Sequence, residues 1–225
     1  MSEETRFADT GVDSRDGSPA PWARMFIRYP SPRIITSALV VVTVWRVALG
    51  SWSLTDLIVA AAFVGAQPFT EWVIHVFLLH FRPRTLGGRR VDPYVARKHR
   101  AHHRDPRIVE LIFIPLPTLV SSMAVGTVIV ALAFRSRLAL TALMAAWALM
   151  LVYEWTHFLI HAPYQPRSRL FRDIARGHRL HHYKNEHYWF TVTSSGTADR
   201  FLRTYPDPGS VKNSPTAKAL HARGA

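Results

Sequence analysis

The chain has 225 residues, 28 lysines and arginines against 15 aspartates and glutamates, a formal net charge of +13, and no cysteine. That length suits one substantial domain, and the lack of cysteine excludes disulfides, thiolate zinc sites and cysteine-held iron–sulfur clusters. A basic excess is a signature of nucleic-acid binding, but here the arginines border long apolar runs, the pattern of a membrane protein facing anionic headgroups; no nucleic-acid partner is expected.

Residues 1–20 are polar without an apolar centre and are expected to be disordered. They lack the basic start and apolar core of a secretory signal. Trp22 to Arg33 mixes aromatic residues with Arg24, Arg28 and Arg33, as in a segment lying on the membrane surface or anchoring the next helix. Ile34 to Gly50 reads as a first span, with Arg46 snorkelling to the headgroups. Leu54 to His80 reads as a second. Wholly helical, it is about 40 Å long against a hydrocarbon core of about 30 Å, so its last turns, with His75 and His80, project from the bilayer. Pro68 is expected to kink it, and Arg82-Pro83 ends it. Residues 82–107 carry nine arginines and lysines. Within them a short helix starting near Pro93, capped by Asp92, presents His99, His102 and His103. Ile108 to Pro117 is apolar but ends in two prolines, as in a segment dipping into the interface. A third span follows over Thr118 to Phe134, a turn at Arg135-Ser-Arg137, and a fourth span over Leu138 to His161. The remainder holds His178, His181 and His182, the aromatic run Tyr188-Trp189-Phe190, and a tail rich in proline, glycine and serine from about Tyr205, expected to be flexible. The expected fold is all-α: four transmembrane helices and a helical cap, over residues 21–204.

Of the 28 basic residues, 25 lie in the N-terminal segment, the 82–107 loop and the part after the fourth span. Positive charge marks the cytoplasmic side. Four spans with both termini cytoplasmic satisfy this rule and place every clustered histidine on that same side.

The histidines form two matched sets, each a pair followed by a triple: His75/His80 with His99/His102/His103, and His157/His161 with His178/His181/His182. On a helix the members of each triple share one face, a comb of imidazole nitrogens suited to zinc, copper, iron or nickel. His157 and His161 also share a face. His75 and His80 lie about 140° apart on an ideal helix, so they either serve different ions or straddle a loosened turn. Ten imidazoles exceed the four to six ligands of one ion and imply two. Ionisable groups in such number near a membrane are scarce and usually functional. His187 lies outside both sets, and His221, in the tail, is given no role. Glu71 and Glu154 precede the two pairs and are candidates to accept an imidazole N–H, since metal-bound histidines commonly donate their other N–H to a carboxylate. Glu154-Trp-Thr-His157 matches the ferritin-like Glu-x-x-His motif once, but the remaining glutamates of that pattern are missing.

With Glu71-Trp-Val-Ile-His75 through His80, His99-x-x-His102-His103, Leu111-Ile-Phe-Ile-Pro115, Tyr153-Glu-Trp-Thr-His157 through His161, and His178-x-x-His181-His182-Tyr183-Lys184-Asn185, the chain resembles the fatty acid hydroxylase/sterol desaturase superfamily over about residues 54–205. The last box is most similar to the fatty acid 2-hydroxylase branch, although Thr191 stands where a glycine is expected. The resemblance implies a di-metal oxygenase with the ten box histidines as ligands. It further implies two iron ions (zinc being able to take their places in isolated protein), dioxygen, a lipid substrate from the bilayer, and an external electron-transfer partner of the ferredoxin or cytochrome b5 type with its reductase. No cytochrome b5-like module accompanies the boxes. A desaturase, carotenoid hydroxylase or sterol oxidase on the same scaffold stays open, because substrate choice lies in pocket shape. A metal transporter would line its spans with polar groups, yet Ile34–Val44 and Met123–Ala133 contain only hydroxyls. A haem carrier would need isolated facing histidines within the spans.

Overall fold

A computed structural model describes residues 5–11 and 18–221. Helix α1 covers Ala20–Phe26 and α2 Pro30–Ala48; α3 runs over Leu54–Val73 and continues as a π-helical turn over Ile74–Leu79. A two-stranded antiparallel hairpin, β1 (Arg84–Leu86) and β2 (Arg89–Val91), precedes α4 (Tyr94–Arg104). A 3-10 turn at Val109–Leu111 leads to α5 (Leu116–Ala133), which is followed by α6 (Ser136–His161), α7 (Arg169–Tyr183) and α8 (Thr197–Phe201). Four stretches are long and apolar enough to cross a membrane: Pro30–Ala48, Leu54–Leu79, Val109–Ala133 and Ser136–His161. The fold is therefore almost wholly helical, as expected, with the small hairpin as the exception: Gly87 and Gly88 supply the positive φ values, 55° and 77°, that its turn requires.

The spans pack around α6, the most buried of them. Ile35 of α2, Val59 of α3, Leu119 and Val130 of α5, and Leu143 and Trp147 of α6 form one core. Outward-facing valines, leucines and isoleucines on α2, α3 and α5 stay exposed, as lipid-facing side chains do when the solvent itself is apolar.

Three expectations need correction. Arg46 does not reach the headgroups. It is fully buried, paired with Asp56 at 2.6 Å, bonded to Thr141 and to the Gly50 carbonyl, and stacked 3.7 Å over the Trp52 ring. The short connection after α2 brings Asp56 within reach, and a paired guanidinium has no need of water. The Trp22–Arg33 stretch turns Trp22, Met25 and Phe26 inward to pack with Phe113 and Phe158 in a second core, and leaves Arg24, Ile27, Arg28 and Arg33 exposed. Phe7 joins that core from inside the stretch expected to be disordered; residues 7–10 form a 3-10 turn, and Thr5 offers its carbonyl to the Val109 N–H at 3.0 Å. The Phe7 ring, the Arg6–Asp105 ion pair at 2.7 Å and the Thr5–Val109 bond hold residues 5–10 in place. Residues 1–4 and 12–17 lie outside the described residues.

In the tail after Tyr205, expected to be flexible, Ala217 and Leu220 are buried; residues 222–225 lie outside the described residues.

Candidate metal centre

Four elements converge at one end of the bundle: the end of α3, α4, the end of α6, and α7. Their ten histidines separate into two groups of five, and within each group one nitrogen per ring lies within 4.8 Å of every other. His75, His80, His99, His103 and His181 form one group; His102, His157, His161, His178 and His182 form the other. Every predicted ligand is brought into the cluster. His187 is not; it is exposed beside Glu186.

The division differs from the combs read in the sequence. Each triple shares a face, but no triple serves one group. On α4 the i and i+4 members, His99 and His103, join the first group, and the i+3 member, His102, crosses to the second. On α7 the relation is reversed: His178 and His182 stay in the second group and His181 crosses to the first. At 100° per residue, i+3 and i+4 lie on opposite flanks of residue i, about 100° apart. Two sites can therefore sit on either side of each comb, and each receives one pair, one i/i+4 couple and one crossing histidine.

The loosened turn considered for His75 and His80 is the one formed. The His80 N–H donates to the His75 carbonyl at 2.9 Å, an i→i+5 bond. The extra residue brings a five-residue spacing back to one face, with the two ring centroids 4.9 Å apart. Pi-bulges of this kind recur at functional sites.

The tautomers bear on what the site can hold. Nδ1 of His75, His103, His157 and His181 lies 2.6, 2.9, 3.0 and 2.8 Å from the carbonyls of Phe190, Ala217, Ile112 and Tyr188. A carbonyl only accepts, so these Nδ1 atoms carry the hydrogen and each Nε2 is a bare lone pair. Yet Nε2 of His103 and Nε2 of His181 are 3.2 Å apart. Two facing lone pairs repel unless a cation lies between them or one ring is protonated. Burial disfavours protonation: it lowers the His103 pKa to about 4 and, together with the neighbouring His75, holds His181 well below its ordinary value. Other Nε2 pairs, His75–His99 and His161–His178 among them, are spaced 3.1 and 3.2 Å. Such spacings would suit neighbouring imidazole ligands of one ion. Each group of five rings fits a metal ion.

Glu71 and Glu154 are buried beside the site, but no imidazole donates to them among the described residues. Glu71 accepts the N–H groups of Val192 and Thr193 at 3.1 and 3.2 Å, and Glu154 that of Ile114 at 2.7 Å. Each thus holds the loop whose carbonyl, two residues earlier, takes an imidazole N–H: Phe190 for His75, Ile112 for His157. Asp92 does not cap α4. Its carboxylate takes both bonds from one Arg100 nitrogen, at 2.6 and 2.8 Å, and Pro93 is the capping residue.

Asp199 has no place in the sequence reading. It is fully buried and accepts from the N–H groups of Phe190 and Thr191 and the hydroxyls of Thr191 and Thr204, at 2.6 to 2.9 Å. It is a lone acid beside the hydroxyl-rich 191–197 turn, the one sequence signal that could have marked it. Thr191, where a glycine was expected, earns its place through that bond. Nothing in a side-chain pattern marks Ala217, which acts through its backbone.

An apolar cavity of about 560 Å³ opens beside the cluster, between α3, α5 and α6. Phe63, Ile114, Leu149 and Met150 are among its walls, and His75 and His99 of one group and His157 of the other line its end.

A family model described as fatty acid hydroxylase matches residues 59–204. The chain is 26% identical over 129 residues to a dihydroceramide fatty acyl 2-hydroxylase of Arabidopsis thaliana, a match covering 56% of this chain and 52% of that protein. The chain thus spans about half the length of that relative. Its fold is similar to that of a solved structure titled full-length scs7p with only the hydroxylase domain visible, at a TM-score of 0.60 and 18% identity, covering 94% of this chain and 70% of the other.

Proposed function

Because the chain belongs to the fatty acid hydroxylase family, we propose that it is a membrane-bound, dioxygen-dependent lipid hydroxylase, with two iron ions in the two histidine groups and a fatty acyl chain as substrate. The observation that carries this reading is that both five-histidine groups border one apolar cavity between the spans. The relative named for fatty acyl 2-hydroxylation supports the acyl substrate.

Iron supplies the redox chemistry that attack on an unactivated C–H bond needs and that zinc lacks. The chain's own residues do the rest. Phe63, Ile114, Leu149 and Met150 bury the acyl chain and keep water from it. The carbonyls of Phe190, Ala217, Ile112 and Tyr188 fix four ligand rings in one tautomer and orientation. Burial keeps His99, His102 and His103 neutral and able to bind. Placing one oxygen atom in the C–H bond and releasing the other as water consumes two electrons and two protons from outside. A ferredoxin or cytochrome b5 with its reductase is the class of donor, reaching the site from the cytoplasmic side. Zinc found in purified protein is expected to occupy the iron positions.

The test is metal analysis of the purified protein beside mass spectrometry of lipids from cells with and without it. About two metal ions per chain and a fatty acyl species gaining one oxygen are expected. A loss of two hydrogens instead would make it a desaturase on the same scaffold, and an altered carotenoid or sterol would move the substrate class.

A further inference from the structure

The matched family domain ends at residue 204, but the chain beyond it returns to the metal centre. Tyr205 anchors the turn. Its ring fills the space above Gly196, where a Cβ would lie 2.3 Å from it, and the Arg200 guanidinium stacks on it at 4.1 Å. Further on, the Ser214 N–H donates to the Lys184 carbonyl at 2.7 Å, and the Thr216 hydroxyl to Glu186 at 2.5 Å. These bonds tie the tail to the segment that follows α7. Two further bonds reach the histidines. The Ala217 carbonyl accepts from Nδ1 of His103 at 2.9 Å, and Nε2 of His221 donates to the backbone carbonyl of His80 at 3.0 Å. Both His80 and His103 belong to the first group. Ala217 and Leu220 are buried between these two contacts.

The second group is held differently. Among the described residues its one imidazole bonded to a carbonyl is His157, and that carbonyl is Ile112, within the family domain. No bond from residues 205–221 to a second-group histidine is present among the described residues.

We propose that residues 213–221 are a strap that completes the first metal site alone, with His221 as a positioning residue. The Ala217 carbonyl fixes the tautomer that aims the His103 lone pair inward. His221 pins the end of the π-helical turn, and with it the backbone that points His80 at its partners. His80 ends that turn, where a helix carbonyl has no partner within the helix, and His221 meets it. The two ions are therefore unequal: one is held wholly by the family domain, the other by the domain together with the strap.

This rests on the two-ion reading above, and the experiment separates the two. The full chain in detergent is loaded with zinc as a redox-silent probe, and the metal is counted and then followed as it passes to a coloured chelator. The unaltered chain should hold two zinc ions. Ending the chain after Lys212 should leave one. His221→Ala should speed the release of one ion by about tenfold, the usual scale for losing a group that orients a ligand, and leave the other unchanged. His221→Gln, whose amide can still donate, should restore slow release. An unaltered chain holding fewer than two zinc ions would overturn the two-ion reading and the strap with it. Two ions with release unchanged in His221→Ala, or with both ions released faster alike, would overturn the strap alone.

Discussion

Glu71 and Glu154 act one step away from the imidazoles, by holding the backbone that orients His75 and His157. Because each supports a different group, their effects should separate. Glu154→Ala is expected to weaken zinc binding at the second group, and Glu71→Ala at the first, each by about 10-fold or more. The Gln variants, which keep one acceptor oxygen, should lose less. Zinc titration against a competing chelator reads both, and equal losses at both sites in either variant would contradict the assignment. A second expectation concerns protons. Burial lowers the His103 pKa to about 4 in the folded chain from an ordinary 6.5, and burial with neighbouring imidazoles lowers His102, His178 and His182 in the same direction. Below the ordinary value the unfolded chain binds protons that the folded chain refuses, so stability is complete above it and falls as pH drops towards about 4. The melting temperature of metal-free protein should therefore be flat above about pH 7.5 and decline steadily from about pH 6.5 downward; a flat profile across that window would count against buried neutral histidines. All ten clustering histidines were legible, since imidazoles at helical spacing have few other reasons to gather. Their partners were not, because backbone carbonyls such as those of Ala217 and Ile112 leave no trace in a residue pattern.

At the scale of elements, the four spans and the two comb helices follow from apolar length and from helical spacing, and they form close to where the sequence puts them. What escaped is where tertiary contact overrides local character. The π-helical turn could be stated only as an alternative, because spacing alone does not say whether two histidines must meet. The tail looked flexible from its proline, glycine and serine content, yet two buried residues and a few bonds to the cluster are enough to seat it. Arg46 looked like a headgroup anchor because Asp56 lies ten residues away on another helix. That pair joins α2 to α3, and Thr141 of α6 bonds to both partners. Asp56→Ala would leave a buried guanidinium without its carboxylate and should cost about 3–5 kcal/mol of stability. Thermal unfolding in detergent measures that loss. Because this knot lies at the opposite end of α3 from the histidines, zinc stoichiometry of the folded fraction should not change; a loss of one ion would mean that the two ends of the helix are coupled.

For the whole molecule, the candidate spans, charges and histidines together bear on the proposed orientation. The four candidate spans link the N-terminal segment to the Gly50–Ser53 connection, that connection to the hairpin, and the segments on either side of Arg135. The histidine cluster, the 82–107 loop and the tail therefore share one end, and the Gly50–Ser53 and Phe134–Arg137 connections share the other. With Arg46 sealed inside against Asp56, the charge left to the second end is Arg135 and Arg137, both exposed, against 25 basic residues on the histidine side. That contrast supports the proposed cytoplasmic placement of the histidine side. Reporters that signal only from the cytoplasm should be active when inserted at Gly88 and silent at Ser53 and Ser136. Gly88 is a suitable site because it sits at the tip of the hairpin, exposed and with nothing within 4 Å of an added Cβ. Cytoplasmic activity at Ser136, or its absence at Gly88, would reverse the orientation and require reductant to arrive from the far side of the membrane.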